Sequence, residues 1–241
     1  MNKKQIVQVC APLIIYAMGS QLIGCSTLPP VKKGEYSPSD LLGFACSSGR
    51  NIVEARGRIL AKVSSRDLSG QFQASVVVNS ADHLELDVTN PLGGSQALIK
   101  IDRGQIEIVD FSGNNETRQK GQEYWGGIPL RWASDLFLGR IPCPPKSSSL
   151  KLEVGKDGEL IAILGSSKDD AHQKFIYQFS QWNHQPWPTS LTWSREGLKS
   201  AQVDFIFDSP EKETGSPEKW EARSSQGQIK MKWRTREISR D

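Results

Sequence analysis

The residues that could do chemistry are few and scattered. The three histidines, His83, His172 and His184, lie far apart, His172 in a polar turn and His184 in the connection NHQPWP. No HExxH, no GxSxG and no glycine-rich phosphate loop is present. The runs SSRD (64–67) and SSKDD (166–170) offer serines beside carboxylates, but with the composition of turns and helix caps. Arg50, Arg56 and Arg58 fall along one strand-like stretch, where solvated strand charges are the ordinary reading. No nucleophile is paired with a base and no ligand set is spaced for a metal. The expectation is a protein with no catalytic residues, no metal and no cofactor.

Cysteine carries the remaining chemistry. Lys3 and Lys4 precede the mostly apolar stretch IVQVCAPLIIYAMGSQLIGC, and no acidic residue occurs before Glu35. A basic start followed by an apolar run reads as an export signal. Gln8, Gly19, Ser20 and Gln21 make the same stretch a poor membrane span. LIGC at 22–25 resembles the lipobox of bacterial lipoproteins. The resemblance implies a diacylglyceryl group on the Cys25 thiol, cleavage before Cys25 and acylation of the new amino group. Ser26 resembles the sorting signal for the outer membrane. A soluble secreted protein with an incidental cysteine, or an uncleaved anchor, are the alternatives. Several acyl chains on one residue give stable anchoring where one chain does not. Cys10 leaves with the signal, so Cys46 and Cys143 remain. Two readings stay open for them, a disulfide in an oxidising compartment or two small buried hydrophobes.

Removal of Lys3 and Lys4 takes the net charge from +3 to +1, and the other charges are interspersed in sign. That excludes the clustered basic face of a nucleic-acid binder. The mature chain expected from Cys25 to Asp241, 217 residues, suits one domain with a sizeable core, expected to be monomeric. The partition expected is a signal at 1–24 and a lipidated N-terminus, Pro-rich tether and short helical segment at 25–48. A barrel domain follows at 49–208, then a C-terminal extension at 209–241 that adds a strand pair or forms a basic exposed tail.

Period-2 alternation dominates the barrel segment. Phe72, Ala74, Val76 and Val78 alternate with Gln71, Gln73 and Ser75, and Leu84, Leu86 and Val88 with Glu85, Asp87 and Thr89, which predicts antiparallel strands with one wet face. About 11 strands joined by short turns are too many for one flat open sheet, so the sheet is expected to curl into an incompletely closed antiparallel β-barrel. The fold class is mainly β. From Pro129 to Gly139 the period becomes helical, giving a short apolar helix that lids or plugs the barrel. The inward side chains Phe72, Val76, Leu84, Leu86 and Leu98, covered by Trp132 and Leu136, are the expected walls of a hydrophobic cavity. The seven tryptophans, all after the midpoint, either fill the core or line that cavity. The turn VTNPLGGS (88–95) places Leu92 among turn formers, where it points outward or folds back onto the helix.

GRILAKV (57–63), LDVTNPLGGSQALIKI (86–101) and IPLRWASDLFLGRIP (128–142) together resemble the LolB family of outer-membrane lipoprotein receptors, with a weaker likeness over 186–207. The resemblance covers roughly residues 50–208. It implies an unclosed barrel with a hydrophobic cavity for acyl chains. It implies as partners a LolA-like periplasmic carrier, acylated lipoprotein cargo and outer-membrane phospholipid. The location implied is the periplasmic face of the outer membrane of a Gram-negative bacterium. Leu92, flanked by Pro91 and Gly93, takes the place of the family's protruding leucine, which acts in membrane insertion. A LolB-like lipoprotein that binds or transfers another envelope lipid, or a structural envelope lipoprotein, is the alternative. The chain departs from the family in a short N-terminal helical segment, a short stretch before Ile128 and the extension after 208.

Overall fold

Alternating apolar residues build one long sheet, and the connections decide how it curls. The computed structural model describes residues 29–65, 69–79, 82–90, 92–111, 117–147, 149–165, 172–196 and 201–241. The signal, Cys25 and Pro91 lie outside the described residues. After helix α1 (Pro38–Ser47) the chain runs through β1 (Ile52–Ser65), β2 (Ser69–Asn79), β3 (His83–Thr89), β4 (Ser95–Asp102), β5 (Gln105–Asp110) and β6 (Thr117–Gln122). A small hairpin, β7 (Tyr124–Trp125) and β8 (Ile128–Pro129), leads into a 3-10 turn (Leu130–Trp132) and helix α2 (Ala133–Leu138). The second series is β9 (Leu150–Val154), β10 (Leu160–Leu164), β11 (Gln173–Trp182), β12 (Gln185–Arg195), β13 (Ala201–Phe207), β14 (Lys219–Ser224) and β15 (Gly227–Arg240).

Thirteen strands form a single antiparallel sheet in the order β6-β5-β4-β3-β2-β1-β15-β14-β13-β12-β11-β10-β9. The last strand returns to pair with the first, so both series are wings of one sheet and its edges, β6 and β9, remain unpaired with each other. The barrel is therefore not fully closed. The count exceeds the 11 expected because two strands lack a strong alternating signal: TRQKGQ of β6 is polar throughout, and KWEARS of β14 has only Trp220 and Ala222 as apolar residues. Residues 209–241, for which a strand pair or an exposed tail stood open, supply β14 and β15 at the middle of the sheet. Close approach of β1 and β15 requires glycine at one point, since a Cβ on Gly57 would lie 2.1 Å from the Thr235 carbonyl oxygen.

Helix α1 is longer than the one or two turns expected, because SPSD is a capping box. Ser37 Oγ accepts from the Asp40 amide at 3.2 Å, and the Asp40 carboxylate accepts from the Ser37 amide at 3.3 Å. Leu41 and Ala45 are buried, and the helix packs against β9, β10 and β12. Ser37→Ala is expected to lower unfolding free energy by about 1 kcal/mol, read by chemical denaturation; an unchanged midpoint would show that tertiary packing alone holds the helix.

A disulfide joins Cys46, at the end of α1, to Cys143, in the segment after α2. Around it, Ser48 Oγ donates to the Gly139 carbonyl at 2.8 Å, and Arg140 reaches the Ile52 carbonyl at 2.8 Å and Asp135 at 3.2 Å. Burial raises the Asp135 pKa, with Arg140 opposing the shift. Gly139 closes α2 in the left-handed conformation, φ 78°. The C-terminal end of α2 is thus tied to the α1–β1 junction by a covalent bond and by hydrogen bonds.

Candidate functional site

Helix α2 and the segment before it divide the barrel interior into two unlike halves. On the side of β9–β13 the space is filled by aromatic rings. Trp132 meets Phe175, Trp193 and Phe205 edge-on, with ring centroids 5.1 to 6.3 Å apart. Tyr177, fully buried, donates its hydroxyl to the Pro142 carbonyl at 2.8 Å. Burial pushes its pKa well above the usual tyrosine range, so the phenol stays a neutral donor.

On the other side a cavity of about 160 Å³ remains. Its wall is built from Ile59, Ala61 and Val63 of β1, Phe72 of β2, Leu84 and Leu86 of β3, Ile99 and Ile101 of β4, and Ile106 and Ile108 of β5. Trp220, Ile229 and Met231 continue it from β14 and β15, and Trp125, Ile128 to Leu130, Ala133, Leu136 and Phe137 close it from above. Among the described residues none of the wall side chains carries a charge. Such a surface offers little to water or a polar reactant and suits an apolar occupant.

Of the residues expected to wall a cavity, Phe72, Leu84, Leu86 and Leu136 line this one, and Val76, Leu98 and Trp132 do not. Val76 is buried beside its cross-strand partner Leu86 but does not reach the wall. Leu98 lies on the opposite face of β4, because Ile99 and Ile101 are the inward residues and a one-residue shift in a period-2 strand reverses every side chain. Trp132 belongs to the aromatic half. Ile99, Ile101, Ile106 and Ile108 were the residues not singled out, although their i, i+2 spacing in QALIKI and QIEIVD carried the signal. The tryptophans divide in the same way. Trp125 and Trp220 line the cavity, Trp132, Trp193 and Trp233 are buried in packed rings, and Trp187 donates to the Asp208 carbonyl at 3.1 Å.

The β3–β4 loop presents Leu92 with 96% of its surface exposed. Asn90 builds the loop: its Oδ1 accepts from the amides of both Leu92 and Gly94 at 2.9 Å, while its backbone exchanges hydrogen bonds with Gly93 and Gly94. Gly93 supplies the positive φ of 88° that the turn needs. Asn90 was visible in the sequence only as a turn former. Its part in holding the leucine tip needed the structure.

Among the described residues no helix is long and apolar enough to cross a membrane, and no three His, Cys, Asp or Glu are gathered to hold a metal ion. No protein-family model matches the chain, and no curated protein matches it. Solved structures do. The chain is similar to a DUF1329 family protein from Desulfovibrio piger, with TM-score 0.50 and 9% identity over 84% of this chain and 92% of that one. It is similar also to a LolA superfamily protein from Nitrosomonas europaea, with TM-score 0.48 and 11% identity over 85% and 94% of the two chains. The lipoprotein LppX of Mycobacterium tuberculosis matches with TM-score 0.32 and 10% identity over 85% and 100%. At 9% identity the Desulfovibrio match establishes a shared fold and nothing about a ligand.

Proposed function

We propose that this chain binds the hydrocarbon part of an envelope lipid in the cavity beneath α2, while lipids on Cys25 keep the domain beside a membrane. The observation that carries the reading is the unequal filling of the barrel, in which one half is packed with rings and the other is left hollow behind an uncharged wall. Each methylene moved from water into such a wall gains roughly 0.8 kcal/mol, so a long acyl chain has a strong drive to enter. Size sets the mechanism. A cavity of about 150 Å³ in another protein holds one benzene, so the 160 Å³ here accepts the end of one chain. Deeper entry requires the β7–β8 hairpin and α2 to move outward. No bond is made or broken.

Trp125 and Trp220 provide the test, since both line the wall. A brominated fatty acid is expected to quench wild-type tryptophan fluorescence. Ala133→Phe, which fills the space from α2, is expected to weaken that quenching roughly tenfold, about 1.4 kcal/mol of lost binding. Equal quenching in both proteins would place the acyl chain elsewhere.

A second reading is favoured by the Leu92 loop. A tip leucine braced by Asn90 has no role in a closed lipid store, but suits a protein that hands its ligand to a membrane. On that reading the cargo is an acylated lipoprotein accepted from a LolA-like periplasmic carrier and placed in the inner leaflet of the outer membrane, as the sequence resemblance to LolB implies.

A further inference from the structure

One polar cluster beside the cavity has no part in hydrocarbon binding. The segment 124–131 distributes its side chains to two sides. Trp125, Ile128 and Leu130 line the cavity, whereas Tyr124 and Arg131 meet the first residues of β11 and the last of β12. There Arg131 Nη2 donates to Gln173 Oε1 at 3.1 Å, and the same oxygen accepts from Trp193 Nε1 at 3.2 Å. Arg195 Nη1 donates to Tyr124 Oη at 3.3 Å, and Arg195 and Gln173 are direct cross-strand partners. The Arg131 guanidinium is stacked 4.6 Å from the Trp132 ring centroid and 5.7 Å from that of Trp193.

Arginines held by packing in this protein are commonly paired with a carboxylate. Arg140, Arg223 and Arg236 each have one, Asp135, Glu221 and Glu211 respectively. Among the described residues neither Arg131 nor Arg195 forms an ion pair, although Glu123 and Glu196 are their near neighbours in sequence. Their hydrogen-bond partners are an amide and a phenol, both uncharged. Burial lowers the Arg131 pKa, Tyr124 opposes this, and Arg195 lowers it further, the direction expected of a cation short of counter-charge. Arginine pairs with free donors are receptors for oxyanions, because their planar forks match two oxygens at once.

We propose that Arg131 and Arg195, with Tyr124 and Gln173, receive the phosphate of an anionic phospholipid whose acyl chain enters the cavity past Trp125 and Leu130. The inference rests on the hydrocarbon-binding reading above and adds the head group to it. Adjacent residues supply both ends of the ligand site: Tyr124 beside Trp125, and Arg131 beside Leu130. An acylated cysteine carries no phosphate, so the site distinguishes a phospholipid ligand from lipoprotein cargo.

The test uses full-length protein in a non-ionic detergent, titrated with brominated phosphatidylglycerol, brominated diacylglycerol and inorganic phosphate. Phosphatidylglycerol is expected to quench tryptophan fluorescence at concentrations roughly tenfold lower than diacylglycerol, which carries no phosphate, an advantage that fades as salt is raised. Arg195→Gln and Arg131→Gln are expected to abolish the preference while leaving quenching by diacylglycerol intact. Because Arg131 packs on two rings, Arg131→Lys serves as its control for folding, and retained diacylglycerol quenching reports an intact cavity. Millimolar inorganic phosphate is expected to reduce the preference by competing for the arginines. Unchanged preference in both glutamine variants overturns the head-group site and leaves the cavity reading standing. If neither lipid quenches, both readings fall together.

Discussion

Replacing both cysteines of the Cys46–Cys143 disulfide, as C46A/C143A, is expected to lower unfolding free energy by about 4 kcal/mol, the chain-entropy cost of freeing a loop of about a hundred residues. The closed loop spans a sequence separation of 97 and contains the whole of β1–β8 and α2. Chemical denaturation with and without reductant measures the change, and equal stability would show that the cross-link constrains nothing in the unfolded chain. The larger interest lies in where the bond sits. It staples the end of α1 to the segment leaving α2, beside the Ser48–Gly139 and Arg140–Ile52 hydrogen bonds. The other end of the lid is held more lightly, through Ser224 Oγ donating to the Gly126 carbonyl and Arg131 to Gln173. Opening of the cavity is therefore expected to pivot about the α2 C-terminus, with Gly126 and Gly127 leading. In C46A/C143A the pivot is loosened, and brominated acyl probe is expected to enter faster at equal concentration. An unchanged entry rate in a destabilised but folded variant would mean that the lid moves without reference to this joint.

What could be read in advance follows from how local each signal is. Alternation in FQASVVV and LELDV, the proline and glycine bracketing IPLRWASDLFLG, and the turn chemistry of NPLGG are written within a few residues. The half-closed sheet and its short helix followed from them. Three kinds of information are not local. The faces of β4 depend on the register that its neighbours impose, so the segment alone does not distinguish Leu98 from Ile99 and Ile101, which face inward. The central place of β15 depends on pairing across the full chain, since Ile52 lies opposite Arg240. The split of the tryptophans depends on which half of the barrel α2 faces. Arg131 and Arg195 lie 64 positions apart and belong to no motif, so their meeting became visible only in three dimensions.

Leu92→Glu is expected to fold normally and take up acyl probe as the wild type does, yet deliver it to phospholipid vesicles roughly tenfold more slowly or worse. Folding is spared because Leu92 is 96% exposed and the hydrogen bonds of its loop run through backbone and Asn90. Uptake is spared because the leucine is no part of the cavity wall. Delivery suffers because a leucine gains roughly 1.5–3 kcal/mol on entering a hydrocarbon phase, which a carboxylate forfeits. That gain is too small to anchor the domain and large enough to favour a transient dip into the leaflet. Asn90→Ala separates the side chain from its presentation. It keeps Leu92 but removes the acceptor of two amides, at a cost of about 1 kcal/mol in stability, and leaves the tip free to collapse onto the surface. If insertion needs a braced leucine, Asn90→Ala slows delivery toward the Leu92→Glu rate. If it needs only an apolar residue somewhere on the loop, Asn90→Ala delivers at the wild-type rate. Delivery by Leu92→Glu as fast as wild type would remove the leucine from the mechanism altogether, leaving the cavity as a lipid store whose contents exchange through the lid alone.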